Sequence, residues 1–249
     1  VGIQSKAAQD GAWIKEALPS HKQAAKRPKP EQFEKYLPKL REILERGYVV
    51  ASKHIKSLTE YFDVEKDNDI QLVYNGTSCG LNGSLWAPNF WLPTAKSAIR
   101  VLGFGYFSVD IDLGEMFLNF PLPAILREYS GVDLSPFREA LEEILKVKLP
   151  ARFWVQWVRC WMGLRPSPYM AIRFYYWAEE FARGNPRDKK KHLRWDKVVL
   201  NLPGDSSFDP AMPLVYKWDA IAKRIAGDLV AFVDDLRASG YSREHAWAI

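Results

Sequence analysis

Val109-Asp-Ile-Asp-Leu-Gly-Glu-Met-Phe-Leu-Asn-Phe-Pro-Leu122 is the stretch whose reading decides the fold. Val109, Ile111 and Leu113 alternate with Asp110 and Asp112. A period of two means a strand, with the apolar residues on one face and both carboxylates on the other. A carboxylate at the end of a buried strand is costly unless a cation pairs with it. Leu113-Gly-Glu-Met-Phe117 reads as a turn leaving the strand, and Pro121 closes the segment. Taken alone, this is a half-buried edge strand with solvated aspartates.

Two further stretches change that reading. Asp228-Leu-Val-Ala-Phe-Val-Asp-Asp-Leu-Arg-Ala238 is an apolar strand, two adjacent aspartates and a second short strand leading to Ser239-Gly240. It predicts a tight β-hairpin with Asp234 and Asp235 at its tip. Between the two Asp segments lies Trp157-Val-Arg-Cys-Trp-Met-Gly-Leu-Arg-Pro-Ser-Pro168, followed by a helix. An Asp strand, a Gly-Leu-x-x-x-Pro turn onto a helix and an Asp-Asp hairpin, in that order, resemble the palm motifs of reverse transcriptases of retroviruses and retrotransposons. Asp112-Leu-Gly-Glu-Met-Phe-Leu-Asn-Phe-Pro-Leu122 resembles the first motif, Arg159 to Pro168 the second, and Phe232-Val-Asp-Asp235 the third. The resemblance spans roughly residues 50–249. A lone Asp-Asp is a weak signal, but three ordered motifs with matching internal residues are a strong one.

The resemblance implies an α+β fold: a polymerase palm, ferredoxin-like, whose antiparallel sheet is backed by helices, with a fingers subdomain and no thumb. The implied division is a polar basic leader over 1–30, N-terminal helices and the fingers hairpin over 31–102, palm over 103–122, a fingers return over 123–152, and palm again over 153–249. It also implies RNA-directed DNA polymerase chemistry. A primer 3′-hydroxyl attacks an α-phosphorus, and two Mg²⁺ ions, with Mn²⁺ as substitute, stabilise the attacking and leaving oxygens. Asp112 and Asp234 would bridge the metals, the Leu113 carbonyl is a further ligand, and Asp235 lies further from one metal. Asp110 shares the face of Asp112 one step back and is read as supporting. Phe117 would lie beneath the incoming sugar and block a 2′-hydroxyl, while Met162 and Gly163 would line the nucleotide pocket. For Phe117 and Met162, packing in the core is the competing reading.

Thr59-Glu-Tyr-Phe-Asp-Val-Glu65 and Ile70-Gln-Leu-Val-Tyr74, joined by Lys66-Asp-Asn-Asp69, predict a hairpin. In the family this hairpin folds over the nucleotide, and an Arg that grips the triphosphate stands four residues before an Asp. This chain carries Gln71 and Asn75 at those places. Gln offers no charged fork to a phosphate, which leaves Lys66 as the nearest cation, or as a plain exposed turn lysine. Leu81-Asn82 resembles the Leu-Asn that follows the family hairpin. The sequons at Asn75 and Asn82 are read as chance.

Elsewhere, Phe33, Leu37, Leu40, Ile43 and Leu44 recur at helical spacing, which predicts a helix over 31–46 stopped by Gly47. Shorter helices or turns are expected over 52–57, 94–102 and 125–129, an amphipathic helix over 136–147, a strand over 153–159, and a long helix from Pro166 to about Arg183. The aromatics at 169, 175, 176 and 177 are read as core. Residues 76–84 and 201–210 read as loops, and Trp218–Ile225 as helical. Arg183, Arg187, Lys189, Lys190, Lys191 and Arg194 form the densest basic run. Lys189, Lys190 and Lys191, together with Arg165, are the expected nucleic-acid contacts; a solvated loop is the alternative. Such contacts carry affinity but no sequence information.

The 249 residues are 47% hydrophobic and 26% charged, ample for a sizeable core. The formal charge of +5 suits a polyanionic partner such as an RNA or DNA template-primer, although mild basicity is common. Deoxynucleoside triphosphates complete the implied partners. Cys79 and Cys160 make neither a disulfide framework nor a zinc site. With no membrane-spanning run and no secretory signal, an intracellular protein is expected. The chain starts at Val1, so a fragment of something longer is expected. The function read from the sequence is template-directed DNA synthesis. Two alternatives stand beside it: a catalytically weakened, nucleic-acid-binding descendant, which Gln71 and Asn75 favour, and an RNA-templated RNA polymerase, which Phe117 and the Phe232-Val-Asp-Asp box oppose.

Overall fold

The apolar stripe of residues 33–44 forms the helix it predicts. The helix α1 spans Pro30–Glu45, with Leu40 fully buried. Pro30 opens it where a missing N–H has no cost, and Gly47, at φ +65°, turns the chain away. The chain continues as β1 (Val49–Ala51), β2 (Glu60–Lys66), β3 (Asp69–Asn75), α2 (Leu81–Ser84) and β4 (Phe107–Asp112). A 3₁₀ turn (Met116–Asn119), α3 (Ala124–Arg127), β5 (Gly131–Asp133), a second 3₁₀ turn (Ser135–Phe137), α4 (Arg138–Leu145) and β6 (Trp154–Trp157) follow. Then come α5 (Ser167–Arg183), β7 (Lys197–Leu200), β8 (Val215–Asp219), β9 (Arg224–Ile225), β10 (Asp228–Phe232), β11 (Asp235–Gly240) and α6 (Arg243–Ala248). This computed structural model describes residues 14–23, 25–66, 69–96 and 105–249. The fold is mixed α and β, with small antiparallel sheets, in two units: Val1–Asn89 with Glu115–Ala171, and Phe90–Gly114 with Ile172–Ile249.

In the first unit, β1, β6 and β5 form an antiparallel sheet, and β2 and β3 a hairpin in register from Glu60 opposite Asn75 to Lys66 opposite Asp69. Val132, Leu134, Phe137, Leu141, Val155, Trp157 and Trp161 make the core with Leu40. Phe33 of α1 stacks on Phe137 with ring centroids 4.7 Å apart.

The second unit holds two sheets, β10-β11-β4 and β7-β8-β9, all antiparallel. Helix α6 packs on β4 and β11. Gly240 permits that approach, because a Cβ there would stand 2.7 Å from His245 Nδ1 and 2.8 Å from the Ala246 nitrogen. Ser242 caps α6, its hydroxyl accepting the His245 N–H at 3.1 Å.

Several expectations are corrected. Trp218–Ile225 is not helical. The Asp219 carboxylate accepts the N–H groups of both Ile221 and Ala222 at 3.0 Å, Lys223 sits at φ +52°, and the segment becomes a turn between β8 and β9. Side-chain capping of the local backbone offers a turn in place of a helix. Residues 52–57 form bends without a helix, and the 76–84 loop ends in α2. Tyr169 and Tyr175 are core, but Trp177 is 45% exposed. The helix expected over 94–102 lies mostly outside the described residues. No helix among the described residues is long and apolar enough to cross a membrane.

Candidate functional site

The sheet β10-β11-β4 carries two of the three predicted catalytic aspartates, Asp112 and Asp235, and Asp234 stands in the turn between β10 and β11. Its register sets Asp235 opposite Asp112, Arg237 opposite Asp110 and Ser239 opposite Ser108. In the other pairing, Phe232 faces Asp235 and Asp228 faces Ser239. Side chains opposite each other share a face, and alternation puts every second residue there. One face therefore presents Asp112, Asp110, Asp235, Arg237 and Asp228, while Val109, Ile111, Leu236 and Ala238 lie on the reverse. The strand 109–113 and the hairpin are thus in the predicted phase, although β4 begins earlier, at Phe107.

The hairpin closes through Val233 and Asp234. Such two-residue loops demand a positive φ at one or both central residues, a demand usually met by Gly or Asn. Here Val233 meets it, at φ +57°. A β-branched residue in that region is an outlier, and strain of this kind costs about 1–3 kcal/mol. It sits immediately before Asp234, whose carbonyl accepts the Leu113 N–H at 2.8 Å. That bond ties the end of β4 to the hairpin tip, so Asp112, Leu113, Asp234 and Asp235 are brought together although Asp112 and Asp234 are far apart in the chain.

The electrostatics along this face are uneven. Asp110 receives a bidentate pair from Arg237, Nε at 2.6 Å and Nη2 at 2.9 Å. The hydrogen bonds and charge of Arg237 hold the Asp110 carboxyl below the usual carboxylate range. Two residues further along, Asp112 and Asp235 face each other, both exposed. Directly opposed like charges are destabilising, and no ion pair among the described residues involves either, or Asp234. Hard carboxylate oxygens are what Mg²⁺ takes, usually one or two per ion with phosphate and water oxygens completing the shell. The donor chemistry at the tip fits that ion. Among the described residues, no group of three or more His, Cys, Asp or Glu is drawn close enough to hold a metal by itself.

The other predicted residues lie in the first unit or in the basic run. Phe117, on the 3₁₀ turn, packs partly buried against the core. Met162 is 46% exposed, and its sulfur accepts the Gln71 amide at 3.2 Å. Gly163, at φ +104°, is required by close approach, since a Cβ would fall 2.0 Å from the Tyr74 carbonyl oxygen. Asn82, whose role the sequence reading left open, clamps this corner. Its amide donates to the Gly163 carbonyl at 2.8 Å, and its side-chain oxygen accepts the Arg165 N–H at 2.8 Å. The signal for it was Leu81-Asn82 after the hairpin. Asn75 spends its side chain on the turn, accepting from Thr77 and Ser78. Lys66 ends β2, exposed. Lys189, Lys190 and Lys191 line a cavity of the second unit.

No family model and no curated protein matches this chain. Among solved structures, it is similar to a foamy viral protease-reverse transcriptase in complex with double-stranded DNA, with a TM-score of 0.56 at 12% identity. The match covers 94% of this chain and 30% of that one. At this identity the likeness is one of fold, and the chain has a reverse-transcriptase-like fold.

Proposed function

We propose that this chain is the palm and fingers of a template-directed DNA polymerase of the reverse transcriptase kind, adding deoxynucleotides to a primer 3′-hydroxyl on an RNA or DNA template. The observation that supports this best is the placement of Asp112 opposite Asp235 beside an Asp234 turn, in a chain with that fold. The palm would comprise 103–122 and 153–249, and the fingers 31–102 and 123–152.

Asp112, Asp234, Asp235 and the Leu113 carbonyl would hold Mg²⁺, which when bound supplies Lewis-acid stabilisation of the attacking and leaving oxygens. The chain's own part is to keep these donors on one exposed sheet end, with Arg237 occupied by Asp110 and so withheld from the pair. Phe117, Met162, Gly163, Lys66 and Gln71 would shape the nucleotide site. Arg165, Lys189, Lys190 and Lys191 would contact the nucleic-acid backbone.

Gln71 supports a second reading. Its amide is engaged by Met162, and no guanidinium stands at that position for a triphosphate. A weakened, binding-only descendant would look the same there. Primer extension on RNA and DNA templates with Mg²⁺ or Mn²⁺ decides between them. Extension that disappears in Asp234→Asn, with duplex binding retained, supports the polymerase; a wild-type chain that binds duplex and never extends leaves the binding module.

A further inference from the structure

The β7-β8-β9 sheet and its flanks build a cavity of about 280 Å³ within the second unit. Lys189, Lys190, Lys191, Arg194 and Arg224 line it, five cationic side chains against the single carboxylate of Asp219. Arg194, buried, is neutralised by Asp196 and Asp219 at 3.2 and 3.3 Å. The four other cations form no ion pair within the described residues. Like charges gathered without a counterion among the described residues repel, so the charge of the cavity favours an anion.

Its walls say which kind. The Arg224 guanidinium lies over the Tyr241 ring, 3.1 Å from the centroid, and His245 stacks on the same ring at 4.1 Å. Two groups that near one centroid cannot share a face, so both faces of Tyr241 are taken and none remains for a base. Cavities that bury drug-sized ligands span about 300–1,000 Å³, and this one is smaller. His245 Nε2–H donates to the His192 carbonyl, 3.0 Å away, while its buried Nδ1 has no partner among the described residues. Burial, with Arg224 and His192 nearby, lowers the His245 pKa.

We propose that this cavity is a phosphate-binding site that takes one or two phosphate groups, of a nucleic-acid strand or of a free oligophosphate, without reading a base. Lys189, Lys190, Lys191 and Arg224 supply the charge, and Arg194 is held back as a structural cation. The choice between those sources rests on the polymerase reading; the site itself does not.

The test titrates inorganic pyrophosphate calorimetrically into the whole chain with no divalent metal, so that the Asp112 face takes no part. Wild type should bind. Arg224→Gln should weaken binding about tenfold, and Lys190→Gln, an exposed residue whose loss disturbs no packing, about threefold. Lys53→Gln, an exposed cation of the first unit, should change nothing. A duplex oligonucleotide followed by anisotropy over a salt series supplies the second arm, in which each lost phosphate contact lowers the salt slope by about one. Weakening of both ligands assigns the cavity to a nucleic-acid strand, and weakening of pyrophosphate alone assigns it to a free oligophosphate. No pyrophosphate binding by wild type, or equal binding by Arg224→Gln, Lys190→Gln and Lys53→Gln, overturns the site. Pyrophosphate binding in a chain that never extends a primer keeps the cavity and removes the polymerase.

Discussion

Asp228 and the Asp112–Asp235 pair stand at opposite ends of one face of the same three-stranded sheet, and they are treated in opposite ways. Asp228 is 8% exposed and surrounded by cations: Arg183 Nη1 at 2.8 Å and Lys217 Nζ at 2.8 Å. Arg183 also donates to the Leu229 carbonyl at 2.7 Å and pairs with Glu179, so the network joins α5, β8 and β10. Burial alone would raise the Asp228 pKa, yet Lys217 and Arg183 outweigh it and the net shift is downward. At the other end, Asp112 and Asp235 are exposed, opposed and without an ion pair among the described residues. The difference separates a carboxylate that holds the sheet together from carboxylates left open to a cation from outside.

The largest expected effect tests the open end. If Asp112 and Asp234 hold catalytic metal, Asp112→Asn or Asp234→Asn forfeits several kcal/mol of charge stabilisation, about a hundredfold or more in extension rate. Single-turnover primer extension checks this, and rates within a fewfold of wild type would erase the distinction between the two ends.

Next comes the closed end. Asp228→Ala leaves the half-buried Arg183 and Lys217 without their shared partner, which should cost about 1.5–3 kcal/mol in urea denaturation. The same carboxylate predicts a pH dependence. Its folded pKa is depressed, so its contribution is present above the unfolded value of about 3.9 and fades as pH falls through the lower folded value. Wild type should lose its advantage over Asp228→Asn across that acid window, and a stability gap independent of pH would show the network to be packing alone.

A smaller effect of opposite sign sharpens the contrast. Relieving the opposed charges, Asp112→Asn should stabilise the fold by about 0.2–1 kcal/mol while it abolishes extension. A destabilised Asp112→Asn would mean that the carboxylate is structural, like Asp228. Smallest of all, Arg237→Gln breaks a pair whose side chains are 46% and 66% exposed. It should cost about 0.2–1 kcal/mol at low salt and less at high salt. In Arg237→Gln the Asp110 pKa, followed by NMR, should rise toward its ordinary value.

Legibility in the sequence followed the strength of local pattern. The alternation at 109–113 announced a strand, and the 33–44 stripe announced α1, because each repeats its period long enough to be unambiguous. The three ordered motifs announced the fold class. The failures were short or capped. Lys197–Leu200 is a strand of four residues within a charged stretch, and Ala220-Ile-Ala-Lys223, apt for a helix by composition, was turned by the Asp219 carboxylate. At the site, Asn75 read as a departure from the family pattern and Leu81-Asn82 as a resemblance to it; that the Asn75 side chain holds a turn and Asn82 clamps Gly163 to Arg165 was not legible.

By itself the sequence determined which residues share a face: alternation set Asp110 and Asp112 on one side of a strand, and helical spacing gathered Leu37, Leu40 and Leu44. These are consequences of backbone geometry over a few residues, and every local segment carries them. Only the tertiary structure decided who stands opposite whom. Asp110 meets Arg237 across 127 residues of chain, while Asp112, two positions on, meets a second carboxylate. A slip of β11 by two residues would preserve every face yet set Arg237 opposite Asp112 and Ser239 opposite Asp110. Register is set by long-range pairing and by the hairpin turn, so it alone made one aspartate of the pair a neutralised strut and left the other open.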